Sequence, residues 1–227
     1  MIDEQAAARD AAARAAVELV ESGMVVGLGS GRAVWRVVEL LAERGGGFRA
    51  VVASERTGEL AREAGLELAE LDGRLELDLA LDGADEVDPE LRLIKGGGGA
   101  LLREKIVIAA ARRFVVVAEE SKRVSRLGEG FRLPVEVVRF AWPDTRRRLR
   151  SLLADVELRA DDRGEPYLTD EGHHLLDCRL PGDADPERLD VELRRVPGVV
   201  EHGLFLGVAE RALLGHPDGR VEVVEAP

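Results

Sequence analysis

The segment Asp82-Gly83-Ala84-Asp85-Glu86, followed nine residues on by Lys95-Gly96-Gly97-Gly98-Gly99-Ala100-Leu101-Leu102-Arg103-Glu104-Lys105, gathers more chemistry than any other part of the chain. Glycines at a strand-to-helix turn let backbone N–H groups come close to an anion, and a helix start adds partial positive charge. Carboxylates with a lysine beside such a nest are equipment for proton transfer on an anionic substrate. Taken alone, an Asp-Gly-Ala-Asp loop is more often a solvated turn, and a glycine run more often a flexible loop. Two observations shift the balance. Leu77-Asp78-Leu79-Ala80-Leu81 reads as a buried strand, which puts Asp82 at a strand's carboxyl end, where open α/β sheets keep their sites. Of 32 basic residues, only Lys95, Lys105 and Lys122 are lysine. Ammonium and guanidinium are not interchangeable where a compact point charge is needed.

A second anion site is suggested by Gly27-Leu28-Gly29-Ser30-Gly31 between a strand and a helix. It lacks the dinucleotide spacing G-x-G-x-x-G and the Gly-Lys-Ser/Thr of a P-loop, so it fits one phosphate group on Ser30, Gly31 and neighbouring amides. Arg32 adds a charge-assisted contact if it turns inward, or is simply a solvated residue at a helix start. Ser54 and Thr57, at another strand-to-helix turn, fit substrate contact and helix capping equally. His173, His174, His202 and His216 show no metal-ligand spacing, so a metal-free site is expected. Glu201-His202-Gly203 fits a place near the active site, but reads more readily as a structural strand end. The basic run Arg146-Arg147-Arg148 with Arg150 reads as a solvated or subunit-facing helix surface.

These residues need a scaffold. Asp3 to Glu21 carries a helical pattern stopped by Ser22-Gly23, Met24–Leu28 is a strand, and Arg32–Arg44 is a helix with Val34, Val37, Val38 and Leu41 on its apolar side. Arg49–Ala53 reads as a strand, Thr57–Ala64 as a helix and Leu66–Leu71 as a further short strand. Strand 77–81, a helix from about Ala100 to Arg113 and strand Phe114–Ala118 continue the alternation. Repeated β-α-β units with apolar strands imply a parallel sheet covered on both faces. After Gly128-Glu129-Gly130 the pattern changes. Pro134–Phe140 is a strand, Asp144 caps a basic helix through Ala154, Val156–Ala160 is a strand and Asp161–Gly164 a hairpin turn. Tyr167-Leu168 and His174–Leu180 form an interrupted strand, Asp185-Pro186 opens a helix ending near Arg195, and Val199–Phe205 is the last strand. That β-α-β-β-α-β order predicts a ferredoxin-like unit. Val208–Leu214 and Val221–Val224 would rejoin the first domain. The expected division is 1–129 with 206–227 as a Rossmann-like doubly wound domain, and 130–205 as a smaller ferredoxin-like α+β domain.

The chain has 227 residues, 45% hydrophobic and 33% charged, which supports a substantial core. A formal net charge of −12 argues against nucleic acid and anionic membrane as partners. No apolar run approaches the roughly 18 residues of a membrane span, and the acidic start is unlike a secretory signal. The single cysteine, Cys178, reads as a buried thiol. Cytoplasm is the expected location.

In order along nearly the whole chain, Val26–Gly31, Asp82–Pro89, Leu93–Gly98, Leu102–Ile106, Glu120-Ser121-Lys122, Leu133–Val138, Thr169-Asp170-x-Gly172 and Pro197–Phe205 resemble the type A ribose-5-phosphate isomerase family. The resemblance implies a Rossmann-like domain carrying a small ferredoxin-like one, and interconversion of D-ribose 5-phosphate and D-ribulose 5-phosphate in the non-oxidative pentose phosphate pathway. It implies Glu104 as general base moving a proton between C2 and C1 through a cis-enediol(ate). Asp82 would assist ring opening, Lys95 would stabilise the enediolate oxygen, and Asp85 would orient sugar hydroxyls. Gly83, Ala84, Gly96, Gly97, Gly98 and Lys122 would contact substrate, and Ser30, Gly31, Arg32 and Ala33 would hold the phosphate. Neither metal nor cofactor is implied, and a homodimer or homotetramer is. The chain departs from the family's Gly-Thr-Gly-Ser-Thr-Ala phosphate loop, where Ser30-Gly31-Arg32-Ala33 loses two hydroxyls and gains a guanidinium. It also has Glu171 and His173 where the family commonly has Asn, a change expected to be peripheral. Three alternatives stand beside this expectation. A sugar-phosphate deaminase or coenzyme A transferase would share the scaffold type, but no coenzyme A site is visible. A sugar-phosphate sensor would carry a DNA-binding module, and about 23 residues precede the first strand. An isomerase with preference shifted by Arg32 is the third.

Overall fold

A computed structural model of the chain describes residues 3–226. Helix α1 (Glu4–Val17) is capped by Asp3, whose carboxylate accepts the Gln5 amide, and it leads to β1 (Val25–Leu28). Then follow α2 (Arg32–Arg44), β2 (Arg49–Val52), α3 (Glu55–Glu63) and β3 (Leu79–Asp82). A hairpin of two-residue strands, β4 (Glu86–Val87) and β5 (Leu93–Ile94), precedes α4 (Leu101–Ala109), β6 (Phe114–Glu119) and a 3₁₀ turn at Glu120–Lys122. The rest of the chain forms β7 (Leu133–Val137), α5 (Trp142–Leu149), β8 (Asp155–Leu158), β9 (His174–Arg179), α6 (Pro186–Arg194), β10 (Val199–His202), β11 (Leu204–Phe205), β12 (Arg211–Gly215) and β13 (Val221–Glu225). Among the described residues no helix is long and apolar enough to cross a membrane.

The chain divides into two compact units, residues 1–84, 103–123 and 207–227 in the first and 85–102 and 124–206 in the second. This division differs from one cut at residue 130, because 85–102 joins the second unit. The hairpin β4–β5 pairs with β11, so backbone hydrogen bonds hold it there. The boundary passes through the first turn of α4, leaving Glu104 in the first unit.

The first unit is a six-stranded sheet in the order β13-β12-β6-β3-β1-β2, parallel except for the edge strand β13. Successive side chains of a strand face opposite sides. Val26 and Leu28 accordingly join Leu79, Leu81, Val115 and Val117 in one core with Val34, Val37 and Leu41 of α2 and Ala12, Ala13 and Ala16 of α1. Val25 and Val51 face the other way, into a smaller cluster with Leu77 and Val107 of α4. Both faces are covered, as the apolar strands require, and the sheet is doubly wound. The stretch expected as a strand at 66–71 makes only a single parallel bridge, Leu68 to Ala50. Glu67, Glu70 and Asp72 crowd that segment with charge at the sheet's edge, and among the described strands its backbone hydrogen bonds reach β2 at Ala50.

The second unit contains an antiparallel sheet in the order β10-β7-β9-β8, with α5 linking β7 to β8 and α6 linking β9 to β10. That is the ferredoxin-like arrangement, with Leu133, Val135, Val137, Leu149, Leu176 and Leu193 in its core. Two local expectations are corrected here. Asp144 is not the cap of α5; the helix starts at Trp142 behind a left-handed Ala141, and Asp144 pairs with Arg147 and Arg148 inside the first turns. The last strand is not continuous through Phe205. Gly203 divides it, donating its amide to Pro134 and accepting the Lys95 amide, so β10 enters the four-stranded sheet and β11 the β4–β5 hairpin. A Cβ at Gly203 would collide with the Lys95 carbonyl, so only glycine permits the crossing.

Candidate active site

In the first unit the parallel strands end at one edge, and candidate residues follow from four of them: Ser30 after β1, Ser54 after β2, Asp82 at the end of β3, and Lys122 in the turn after β6. Asp82 is 1% exposed. Its Oδ1 accepts the Gly83 amide at 2.7 Å and the Ser30 amide at 3.2 Å. The carboxylate therefore fastens the β1 turn to the β3 turn. Gly29 makes this possible, because a Cβ there would occupy the position of the Asp82 carboxylate. Gly31 caps α2 in a left-handed conformation (φ 93°), and the first-turn amides from Arg32 onward open the helix without a side-chain cap. Such a helix start is suited to an anion. Arg32 is exposed and Ala33 buried.

The two functions left open for Ser54 and Thr57 resolve partly. Ser54 caps α3 by accepting the Thr57 amide, and its hydroxyl also donates to Thr57 Oγ1 at 2.9 Å. Ser30 Oγ lies 3.0 Å from Ser54 Oγ, and Trp35 Nε1 donates to Thr57 Oγ1. The one hydroxyl kept in the phosphate loop thus belongs to a chain of hydroxyls that the sequence did not disclose. Glu104 is 4% exposed on α4, one turn before Val107, which packs under β1.

In the second unit Lys95 is 2% exposed, its ammonium 5.3 Å from the centroid of the Phe205 ring. Asp85 accepts the Gly97 amide on Oδ2 at 2.8 Å, and its own amide donates to Ile94. Gly96 is buried and Gly98 exposed. Two residues that sequence reasoning missed touch this loop. Arg159 donates to the carbonyls of Gly96 and Gly97, and the Tyr167 hydroxyl donates to Gly98. Both lie more than sixty positions from the glycines, and no local pattern marks them. Glu86, read only as part of the acidic motif, instead accepts the amides of Gly128, Gly130 and Phe131 at 2.6 Å each.

The four candidate catalytic residues divide evenly, Asp82 and Glu104 in the first unit, Asp85 and Lys95 in the second. Elsewhere in the second unit, burial pushes the Glu136 carboxyl above its ordinary range although Thr169 and His173 both bond to it. His202 is fully buried and accepts the Leu204 amide, a structural part. Burial also raises the Cys178 thiol. Among the described residues no group of three or more His, Cys, Asp or Glu side chains is placed to hold a metal ion.

A parallel α/β sheet with a buried carboxylate at its carboxyl edge and a glycine-opened helix start beside it is the arrangement of an enzyme that takes a small anionic substrate. Residues 49–219 match the family model for ribose 5-phosphate isomerase A (phosphoriboisomerase A). Ribose-5-phosphate isomerase A of Roseiflexus castenholzii is 54% identical over 220 residues, covering 95% of this chain and 94% of that protein. The isomerase structure from Neisseria gonorrhoeae superposes with a TM-score of 0.91 at 35% identity, covering 100% and 99% of the two chains. A D-ribose-5-phosphate isomerase solved in complex with phospho-erythronic acid gives a TM-score of 0.92 at 35% identity, covering 99% and 100%. The chain belongs to the ribose 5-phosphate isomerase A family.

Proposed function

We propose that this protein interconverts D-ribose 5-phosphate and D-ribulose 5-phosphate through a cis-enediol(ate), with Glu104 as the general base. The observation that carries the reading is Glu104 itself: a carboxylate almost wholly removed from solvent, on the helix that precedes the sheet's central strand, in a chain of this family. Moving a proton between C2 and C1 needs one base that can take it from one carbon and return it to the other. Asp82, held by two amides, assists opening of the sugar ring and proton movement at its oxygens. Lys95 supplies the compact positive charge for the oxygen that becomes anionic, and Asp85 orients sugar hydroxyls. Gly83, Ala84, Gly96, Gly97, Gly98 and Lys122 complete the substrate contacts. The phosphate rests on Ser30, on the amides of Gly31, Arg32 and Ala33, and on the Arg32 guanidinium. The ligand of the solved relative, phospho-erythronic acid, combines a phosphate with a carboxylate, the charge pattern of a phosphorylated enediolate. On family resemblance the protein works in the cytoplasm as a homodimer or homotetramer.

Glu104→Gln tests the base directly. Turnover of ribose 5-phosphate should fall by about 10² to 10⁴ while KM stays near wild type. A variant keeping more than about a tenth of wild-type kcat, a barrier change below roughly 1.4 kcal/mol, removes Glu104 from that role. Activity is expected to survive exhaustive chelation, and recovery on adding a divalent ion after loss would point to a metal mechanism.

A further inference from the structure

We propose that Arg159 and Asp177 are positioning residues for this isomerase site, fixing the Gly96-Gly97 peptides and, through the Gly97 amide, the carboxylate of Asp85. The inference rests on the isomerase reading and deepens it. All of the groups belong to the second unit. Arg159 follows β8 and points its guanidinium at two targets. Nε and Nη2 donate to the two Asp177 oxygens at 2.9 and 2.5 Å, while Nη1 donates to Gly97 O at 2.9 Å and Gly96 O at 3.2 Å. Asp177 sits in β9, held on both sides by backbone pairing with β7 and β8. One planar group therefore references a mobile type of sequence, four glycines in a row, to a rigid sheet.

A glycine run has more backbone freedom to lose than any other sequence, so its conformation must be set by contacts from outside. Two side chains outside the run supply such contacts. Besides Arg159, Tyr167 reaches the Gly98 carbonyl, its ring lies 5.9 Å from the Arg159 guanidinium carbon, and its backbone amide donates to the Arg159 carbonyl. The chain of bonds then continues toward the chemistry: fixing the Gly97 peptide fixes its N–H, which donates to Asp85 Oδ2 at 2.8 Å. Lysine could not replace the arginine, because a single ammonium cannot hold a carboxylate on one edge and two carbonyls on another.

The test is a double-variant cycle of Arg159→Ala and Asp85→Asn, read as kcat/KM for ribose 5-phosphate, with inhibition by inorganic phosphate and thermal melting measured on each protein. Wild-type turnover is established first, and its absence would sink the isomerase reading itself. Arg159→Ala should lower kcat/KM about ten- to a hundredfold, since a displacement of about 1 Å costs that much. The inhibition constant for phosphate should not move, because Ser30 to Ala33 belong to the other unit. The double variant should fall little below the more impaired single one, since both changes break the same chain of bonds. Arg159→Lys should recover less than half of the loss on a logarithmic scale. If Arg159→Ala melts below the assay temperature, Asp177→Asn replaces it in the same cycle. Multiplying losses in the cycle, or wild-type kcat/KM in a folded Arg159 or Asp177 variant, would overturn the proposal and leave the isomerase reading standing.

Discussion

Replacing Gly29 with alanine should disable the site through a collision with one named group. Gly29 is not among the residues with positive φ, so alanine brings no backbone strain of its own. The difficulty is the new methyl, which would fall on the Asp82 carboxylate. Asp82 cannot stay, and relief requires its carboxylate to move by at least about 1 Å, a displacement that can cost on the order of 10² in rate. Movement on that scale breaks at least one of its bonds to the amides of Ser30 and Gly83, and a hydrogen bond to a charged group contributes roughly 1.5–3 kcal/mol. Both routes lead to kcat/KM about a hundredfold below wild type, near 2.7 kcal/mol of barrier. Overpacking a buried position also costs about 1–3 kcal/mol of stability, or a Tm lower by roughly 2–12 °C at this size. Gly164→Ala is the control: φ is +81° and nothing lies within 4 Å, so alanine there meets only backbone strain and should leave kcat/KM unchanged. The assay is steady-state turnover of ribose 5-phosphate beside a melting curve. If Gly29→Ala melts lower but keeps kcat/KM within about threefold of wild type, the position of Asp82 does not serve the reaction.

Lys95→Arg keeps the charge but puts a planar fork where a buried ammonium faces the Phe205 ring, so kcat/KM should drop at least about tenfold; near-wild-type values would remove the role given to Lys95. Arg32→Ala should raise KM for ribose 5-phosphate about ten- to a hundredfold with a smaller effect on kcat, as expected for loss of a charge-assisted contact to the phosphate; unchanged KM and unchanged affinity for inorganic phosphate would leave Arg32 in solvent. The Arg113 guanidinium, bonded to Glu210, with Arg211 beside it, holds that carboxyl at about 2. Because the folded value lies below the unfolded one of about 4.3, the stabilisation is full above that pH and is lost as pH falls toward 2. Tm should therefore fall less steeply between pH 4.5 and 2 in Glu210→Gln than in wild type, an approximate window set by those two values; parallel Tm–pH curves would show that the pair contributes nothing.

The main architecture was legible because strands β1, β3 and β6 are continuous apolar runs of the kind a sheet buried on both faces demands. Helix α2 was legible to the residue, since its valines and leucines recur at helical spacing and Gly45 stops it. The hairpin β4–β5 was not, because two-residue strands are too short to show alternation, and their partner β11 lies more than a hundred positions away. Without that hairpin the affiliation of residues 85–102 could not be read. Among the candidate residues, those marked by local sequence were visible: the glycines before α2, and Asp82 at the end of its strand. Arg159 and Asp177 were not. Their relation to Gly96 and Gly97 exists only after β8 and β9 have paired.

The insertion of β12 beside β6 has a consequence for how the chain is made. Between Glu119 and Arg211 the ribosome must supply the rest of the second unit, so at about 5–20 residues per second the strand Phe114-Val115-Val116-Val117-Ala118 waits roughly 5–20 s for its neighbour. Throughout that interval one of its edges offers bare amides and carbonyls flanked by valines, a surface on which a second nascent chain can pair. Chains released after Leu206 would possess every segment of the second unit and yet carry this open edge permanently. Premature termination between Leu206 and Arg211 should therefore yield aggregates rather than a partly active enzyme.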